Sequence, residues 1–388
     1  MAAVARGPDA WTREPGAEAL AALGLVAVPG LGGRRIRALF ERHGSFAGVL
    51  SALRTNAAGV PLPGPTLEAA ACARPADARA VARVLPAGAR IVAMGEPAYP
   101  AELLRLADPP PVLWLHGPLE PGSERAVCLV GTRAATEYGR RMARRLAAGL
   151  AEAGWRIVSG LARGIDAEAH RGALEAGGET VGVPGCGLGH VYPASSRDLY
   201  ASLRRRGLLL TELPPGERPA PAWFPRRNRI LAGLVRAVLV VQAGPRSGAL
   251  ITAREAAEIG VDVLAVPGRV DLAVSEGCNA LIRDGAGLVA RVADALDALG
   301  EVRPDPGSHG RSAPRGGGAA AGGVRRTTEP RRAVEASLVR RLRAGPRHVD
   351  ALARETGLGI AEALAALGRL EAAGHIRGLP GGRYEALR

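Results

Sequence analysis

Apolar and polar positions alternate along residues 125–290 in a rhythm that predicts strands and helices in turn. Short apolar runs recur at Ala126–Val130, Arg156–Val158, Glu179–Val183, Leu208–Leu210, Ala237–Val241 and Val261–Val266. Amphipathic stretches lie between them, near 137–152, 166–176, 195–205, 226–234 and 248–259. Because the runs are almost continuously apolar, they predict a parallel sheet that is covered by helices on both faces. The expected fold class is therefore α/β, an extended Rossmann-like doubly wound sheet.

The segments on either side of this region have different patterns. Residues 16–85 are helical in pattern, and VAVPGLGG at 26–33 is either a plain tight turn or the glycine turn of a helix-hairpin-helix module. Two further apolar runs, at Arg90–Ala93 and Val112–Leu115, are candidates to extend the sheet. Near the C-terminus, three helical stretches precede two short extended pieces around a Pro-Gly-Gly turn, and they lie at 331–343, 348–356 and 360–373. Three helices followed by a hairpin are typical of a small winged helix.

These patterns divide the chain into four parts. Residues 1–85 form a small helical, SAM-like domain, residues 86–300 the Rossmann-like domain, and residues 331–388 the winged-helix domain. Residues 301–330 contain the sequence PDPGSHGRSAPRGGGAAAGG, which is too poor in apolar residues to form a packed core. We therefore predict that 301–330 is a disordered linker.

The charge composition excludes some chemistries and favours one class of partner. The chain has 388 residues, with 51 basic against 37 acidic side chains and a net charge of +14. All the basic residues other than histidine are arginine, so a lysine Schiff base and a Walker-type phosphate loop are excluded. The arginine excess is concentrated after residue 124, which is where we expect a polyanion to bind.

Cysteine usage and hydropathy point to the cytoplasm. The four cysteines, at 72, 128, 186 and 278, form no CxxC pair and fit neither a zinc site nor a disulfide framework. No run of about 18 apolar residues predicts a membrane span. The first residues, MAAVARGPDAWTREPG, lack the apolar core of a signal peptide. We expect a cytoplasmic protein with reduced thiols, no metal, no cofactor and no membrane association.

Glycine-rich turns follow several of the predicted strands, at the sheet edge where open α/β folds place their ligands. Gly131-Thr132-Arg133 follows the first strand of the 125–290 segment, and Ser159 to Gly164, reading SGLARG, follows the second. Arg246-Ser247-Gly248 precedes a predicted helix. Glycine allows the backbone to approach a ligand closely, and arginine offers a five-donor fork that suits phosphate. Together the turns predict an anion-binding cradle.

The densest basic cluster adds an aromatic residue to this edge. Phe224 and Pro225 precede Arg226, Arg227, Asn228 and Arg229. An aromatic ring beside cationic forks is what single-stranded nucleic acid requires, because bases stack on the ring and phosphates contact the guanidinium groups. Phe224 is either a core anchor or an exposed platform for a base. We favour the platform, since a residue before proline is biased towards an extended conformation.

No catalytic constellation is evident in the sequence. The histidines form no HExxH pattern and none lies near a GxSxG motif. Asp166 and His170 are four residues apart on one predicted helix, which is compatible with general-base or metal chemistry. A simpler interpretation is that Asp166 caps the helix and His170 packs in the core. We therefore expect a binding protein rather than an enzyme.

The motifs together resemble those of the DprA/Smf family, the DNA-processing protein A family of bacteria. The resemblance covers residues 90–290 and rests on VGTR, SGLARGID, YPASSRDLY, FPRRNRILAGL, SGALIT, VPG and SEGCNALIRDGA, in that order. It implies a single-stranded DNA-binding protein that protects incoming DNA during natural transformation and loads the RecA recombinase onto it. The resemblance further implies a homodimer formed through the Rossmann domain, and no catalytic activity.

The resemblance and the strand-end positions together nominate the DNA-binding residues. These are Gly131, Thr132, Arg133, Ser159, Gly160, Arg163, Gly164, Phe224, Arg226, Arg227, Asn228, Arg229, Ser247 and Gly248. This chain departs from the family pattern at Gly189 and at Gln242, where an acidic residue is usual. The alternative is a Rossmann-type nucleotide phosphoribohydrolase, whose PGGxGTxxE signature is not found in this sequence.

Overall fold

The computed structural model describes residues 15–301, 337–356, 358–372, 374–379 and 383–387. The chain divides into two compact units, one before and one after the stretch 302–336. All of the predicted linker except Glu301 lies outside the described residues.

The first unit is built on a nine-stranded sheet. Its strands are β1 Ala89–Ala93, β2 Val112–His116, β3 Ala126–Gly131, β4 Arg156–Ser159, β5 Thr180–Gly182, β6 Leu208–Thr211, β7 Ala237–Gln242, β8 Asp262–Ala265 and β9 Gly287–Leu288. The spatial order is β1-β2-β6-β5-β4-β3-β7-β8-β9. From β6 to β9 all neighbours are parallel, whereas β1 pairs with β2, and β2 with β6, in antiparallel fashion. The doubly wound α/β class is confirmed, and the two extra runs extend it as an antiparallel edge.

Seven helices connect these strands or follow them. They are α6 Glu137–Glu152, α7 Ile165–Glu175, α8 Arg197–Arg206, α9 Trp223–Gly233, α10 Ala249–Glu258, α11 Glu276–Arg283 and α12 Val292–Ala298. The start of α6 shows how local sequence sets a boundary: the Thr136 hydroxyl accepts a hydrogen bond from the N–H of Gly139 at 3.1 Å, an N-cap, and the acidic Glu137 lies in the first turn.

Strand β3 explains why the apolar pattern is continuous. Val127 and Leu129 pack into one core with Leu146 and Leu150 of α6, whereas Cys128 and Val130 pack into the core on the other face. A strand that is buried on both faces needs apolar residues at successive positions. The strand order reverses around β3, with β4 on one side and β7 on the other, which leaves a crevice at the carboxyl ends of these strands.

Five short helices precede the sheet. They are α1 Ala17–Val26, α2 Gly33–His43, α3 Phe46–Arg54, α4 Gly64–Ala71 and α5 Ala78–Val84. The glycine turn predicted at 26–33 joins α1 to α2, and Gly30 adopts a φ of 78°. Apolar residues of these helices, such as Leu25 and Phe46, share one core cluster with Leu113 and Leu115 of β2. The helical part therefore packs on the antiparallel edge of the sheet.

The second unit is a winged helix. A helix covers 337–342 (α13) and is followed by β10 Arg347–His348, α14 Val349–Thr356, α15 Ile360–Ala372, β11 Ile376–Leu379 and β12 Arg383–Ala386. The strands form a small antiparallel sheet in the order β10-β12-β11. Leu338, Leu352 and Leu367 contribute to its own hydrophobic core.

Across the described ranges, the structure contains no helix with both the length and the apolar character that crossing a bilayer requires.

Candidate functional site

A cleft of about 370 Å³ opens at the carboxyl end of β3, where the strand order reverses. Eight of the fourteen nominated residues line it: Gly131, Thr132, Arg133, Phe224, Arg227, Asn228, Ser247 and Gly248. Ala162, Asp166, Leu231, Ile251 and Thr252 are among the residues that complete its wall. Ser159, Gly160, Arg163, Gly164, Arg226 and Arg229 do not line the cleft.

In the turn after β3, hydrogen bonds fix Thr132, and the side chain of Arg133 lies at the surface. The N–H of Thr132 donates to the Gln242 carbonyl at 2.7 Å, and its hydroxyl accepts from the N–H of Ala134 at 3.2 Å. Arg133 is exposed, and its guanidinium carbon lies 4.8 Å from the centroid of the Phe224 ring. This contact is a cation–π interaction that holds Arg133 at the mouth of the cleft.

The turn after β4 contributes shape rather than side-chain contacts. Ser159 is fully buried and its hydroxyl donates to the Leu129 carbonyl at 2.6 Å, so the expectation that this side chain faces the ligand is wrong. A side chain at Gly160 would overlap the guanidinium of Arg227, and one at Gly164 would overlap the Thr132 carbonyl. Gly164 also has a φ of 80°, which suits glycine. Arg163 is exposed.

Asp166 is the residue that the sequence interpretation misplaced. It is not the cap of α7, because Gly164 occupies the N-cap position. Its buried carboxylate instead accepts a hydrogen bond from the backbone N–H of Ala162 at 3.4 Å, and the backbone of Gly160 and Gly131 also favours its charged form. Asp166 thus fills the amide cradle that glycine turns would otherwise offer to a phosphate. An acidic residue in the first turn of a helix that follows a glycine turn was the available signal.

Burial sets the electrostatics of this carboxylate. Desolvation raises the pKa of Asp166 to about 6, although the guanidinium of Arg227 and the three backbone donors act in the opposite direction. Desolvation likewise lowers the pKa of Arg227, and Asp166 opposes that effect. The two charges therefore balance one another beneath the cleft.

The FPRRNR segment differs from its expected conformation. Helix α9 begins at Trp223, so Phe224 and Pro225 lie in its first turn rather than in an extended segment. Proline is tolerated there because the first N–H groups of a helix have no intrahelical partner. The bias against a helical residue before proline is overridden in this chain.

The arginines of α9 do not form the expected exposed cluster. Arg227 is buried and donates to the carbonyl oxygens of Gly160, at 2.8 Å, and Val183. Arg229 is also buried and pairs with Glu212 at 2.5 Å. Arg226 is exposed, but its Nε lies 3.2 Å from the same Glu212 carboxylate. The sequence alone does not reveal this, because the acidic partner lies on a separate element.

Phe224 occupies the centre of a row of stacked groups. Its ring packs against Gly185 and is half-buried. Arg133 lies over it, and the ring of Tyr192 has its centroid 5.5 Å away at an interplanar angle of 47°. Phe224 is therefore neither a core residue nor an open platform, since its neighbours already cover it.

The opposite wall of the cleft comes from α9 and from the start of α10. The Asn228 amide donates to the Gly248 carbonyl at 3.3 Å, and its oxygen accepts from the Nε of Arg227 at 3.2 Å. Ser247 accepts a hydrogen bond from the N–H of Ala249 through its hydroxyl. Arg246, just before them, is exposed. The Asn228 side chain thus links α9 to the start of α10 through its hydrogen bonds.

The other candidate chemistry groups are structural. His170 is fully buried and its Nδ1 lies 2.7 Å from the Thr180 hydroxyl, and desolvation lowers its pKa to about 3. The thiols of Cys128, Cys186 and Cys278 are buried, and burial raises their pKa, whereas Cys72 is exposed. The part of the chain that the structure describes contains no cluster of three or more His, Cys, Asp or Glu side chains that could hold a metal ion.

Comparisons with known proteins agree with this architecture. Residues 90–300 match the family model described as DNA recombination-mediator protein A, and residues 325–382 match that of the DprA winged helix domain. Protein Smf of Synechocystis is 38% identical over 75% of this chain and 78% of its own length. The putative DNA processing protein DprA of Mycobacterium tuberculosis is 43% identical over 72% of this chain and 69% of its own length. The X-ray structure of DprA from Streptococcus pneumoniae, 34% identical, covers 71% of this chain and 95% of its own, with a TM-score of 0.63.

Proposed function

The chain belongs to the DNA recombination-mediator protein A family, also called DprA/Smf, and we propose that it binds single-stranded DNA at the cleft beyond β3. We further propose that it protects incoming DNA during natural transformation and loads the RecA recombinase onto it. It does so as a homodimer formed through the Rossmann-like domain, and it does not transform the nucleic acid chemically.

The observation that carries the proposal is the distribution of charge around the cleft. Arg133, Arg163 and Arg246 are exposed, and none of them has an ion-pair partner within the described ranges. They come from the turns after β3, β4 and β7, which are neighbours in the sheet. An unpaired guanidinium is free to contact a phosphate with charge-assisted hydrogen bonds. Three cations therefore lie on turns at this edge of the sheet, and Arg133 among them lines the cleft itself.

The filled amide cradle supports a polymer ligand over a mononucleotide. A nucleotide-hydrolysing Rossmann site would need its glycine-turn N–H groups for the phosphate of the substrate. Here the Asp166 carboxylate accepts a hydrogen bond from the Ala162 N–H, and the backbone of Gly131 and Gly160 favours its charged form. Phosphates are left to the rim arginines, which suits a chain that passes over the cleft.

The test is the salt dependence of binding to a fluorescent oligo(dT), measured by anisotropy, with a duplex of equal length for comparison. We expect tighter binding to the single strand and a log–log salt slope of about −0.7 for each phosphate neutralised. Arg133→Ala, Arg163→Ala and Arg246→Ala should each weaken binding and make the slope shallower. The matched control is Arg79→Ala, because Arg79 is exposed on α5, which contributes nothing to the cleft.

Two outcomes would contradict the proposal. One is a flat salt dependence together with equal affinity for the duplex. The other is release of a free base from nucleoside monophosphates, which would favour the phosphoribohydrolase alternative. RecA loading and dimerisation are tested separately, by the rate of RecA filament formation on protein-coated DNA and by light scattering of the free protein.

A further inference from the structure

The loop before α8 carries an exposed aromatic ring beside the cleft that the DNA-binding assignment did not include. Tyr192 is 42% exposed, and only Tyr138, at 41%, is comparable among the tyrosines of the described ranges. Its ring lies against Phe224, whose own ring is covered by Arg133. Arg133 and Tyr192 thus both contact the Phe224 ring, and Tyr192 is the more exposed of the two aromatic rings.

We propose that Tyr192, rather than Phe224, is the stacking surface for a base of the bound strand. This inference rests on the proposed function, because it assigns a base contact to the same DNA site. The Phe224 ring already contacts a guanidinium, a tyrosine ring and the backbone of Gly185. The exposed part of Tyr192 is therefore the aromatic surface of the row that is open to a base.

The backbone of this loop holds the ring in place without using it. The buried Tyr200 donates its hydroxyl hydrogen to the Tyr192 carbonyl at 3.0 Å. Nearby, His190 Nε2 lies 2.9 Å from the Gly216 carbonyl. The Tyr192 hydroxyl itself has no hydrogen-bond partner among residues 15–301. Because the ring also packs against Phe224, it loses little conformational entropy when a base stacks on it.

The surrounding chemistry suits a nucleotide. Arg133, two contacts away along the row, is one of the three unpaired rim arginines. A base on Tyr192 would therefore lie one aromatic ring away from the guanidinium of Arg133. This arrangement of ring and cation matches the general pattern of sequence-tolerant single-strand binding.

The experiment compares Tyr192→Ala, Tyr192→Phe and the control Tyr138→Ala in oligo(dT) anisotropy. Stacking predicts a loss of affinity of about 5- to 150-fold for Tyr192→Ala and nearly normal affinity for Tyr192→Phe and Tyr138→Ala. The salt slope of Tyr192→Ala should stay at the wild-type value, because no phosphate contact is removed. The melting temperature should also stay within a degree or two of the wild type.

A second oligonucleotide separates stacking from a structural effect. Replacing every base by an abasic spacer should weaken binding to the wild type, and should weaken binding to Tyr192→Ala by a smaller factor, because the ring that reads the base is gone. Equal abasic penalties in both proteins would overturn the proposal, as would unchanged affinity of Tyr192→Ala. If the wild type fails to bind oligo(dT) at all, the proposed function falls and this inference falls with it.

Discussion

Replacing Arg227 should unfold the protein more readily rather than simply weaken its ligand binding. Arg227 lies in FPRRNR, the most basic run of the site, yet it is buried and opposes the charge of buried Asp166. Arg227→Met keeps most of the volume of the side chain and removes the charge. The change leaves Asp166 without its cation, and it leaves the carbonyls of Gly160 and Val183 without the donor that they share.

The expected magnitude follows from leaving the buried Asp166 carboxylate without the buried cation that offsets its charge through space. Removing one of two opposed buried charges typically destabilises a protein by about 3–5 kcal/mol. For a domain of this size, about 1 kcal/mol corresponds to roughly 2 °C in melting temperature, so we expect a fall of about 6–10 °C. The double variant Arg227→Met/Asp166→Asn should recover part of this loss, because neither charge is then left unpaired.

The assay is thermal unfolding by circular dichroism, combined with oligo(dT) affinity at a temperature well below both transitions. We expect the folded Arg227→Met protein to bind within about threefold of the wild type, since the rim arginines are intact. A melting temperature within 2 °C of the wild type, together with a tenfold or greater loss of affinity, would refute the reasoning. Arg227 would then be a ligand contact rather than part of the fold.

Three further predictions follow from the same region and from the domain organisation. Gly160→Ala should destabilise the protein by about 1–3 kcal/mol in urea unfolding, because a methyl group there overlaps the Arg227 guanidinium, whereas Gly248→Ala, which meets nothing within 4 Å, should be neutral. Burial holds the pKa of Asp166 at about 6, above its value in the unfolded chain, so the folded protein favours the protonated carboxyl. The resulting contribution to the free energy of unfolding is complete below about pH 4 and is lost as the pH rises through about 6. Urea unfolding of Asp166→Asn should lack this component, which amounts to about 3 kcal/mol across the window. A chain that ends at residue 300 should keep its oligo(dT) affinity within tenfold near physiological salt, and a larger loss in anisotropy would place the winged helix in the main site.

The parallel core of the fold could be predicted from sequence because its signal is local. The helix predicted at 137–152 corresponds to α6, and the run Ala126–Val130 corresponds to β3 with one residue added. Both patterns arise from burial against immediate neighbours, which apolar periodicity records. The antiparallel pairing of β2 with β6 joins segments far apart in the chain, and no local pattern specifies it.

The sequence predicted the location of the cleft better than it predicted the role of each residue in it. Strand-end turns located the cleft, because parallel strands end at the same edge. The roles within it depend on pairings across the fold: Glu212 and Asp108 neutralise Arg229, and Asp166 takes the glycine-turn amides. A basic run in a sequence does not show which of its charges are already satisfied. Three-dimensional pairing reduces FPRRNR to one exposed arginine, Arg226.

The close contact between the two glycine turns has an evolutionary consequence. Gly164 lies against the Thr132 carbonyl, so a side chain there displaces the turn after β3, and Gly160 lies against Arg227, so a side chain there displaces that guanidinium. Substitutions should therefore be tolerated less often beneath the cleft than at its mouth, where Arg133 and Tyr192 project into solvent. Lineages that diverge in ligand preference should differ at these outer positions and keep the floor intact. A mutational library directed at the mouth should accordingly yield many folded variants with altered binding, and one directed at the floor should yield few.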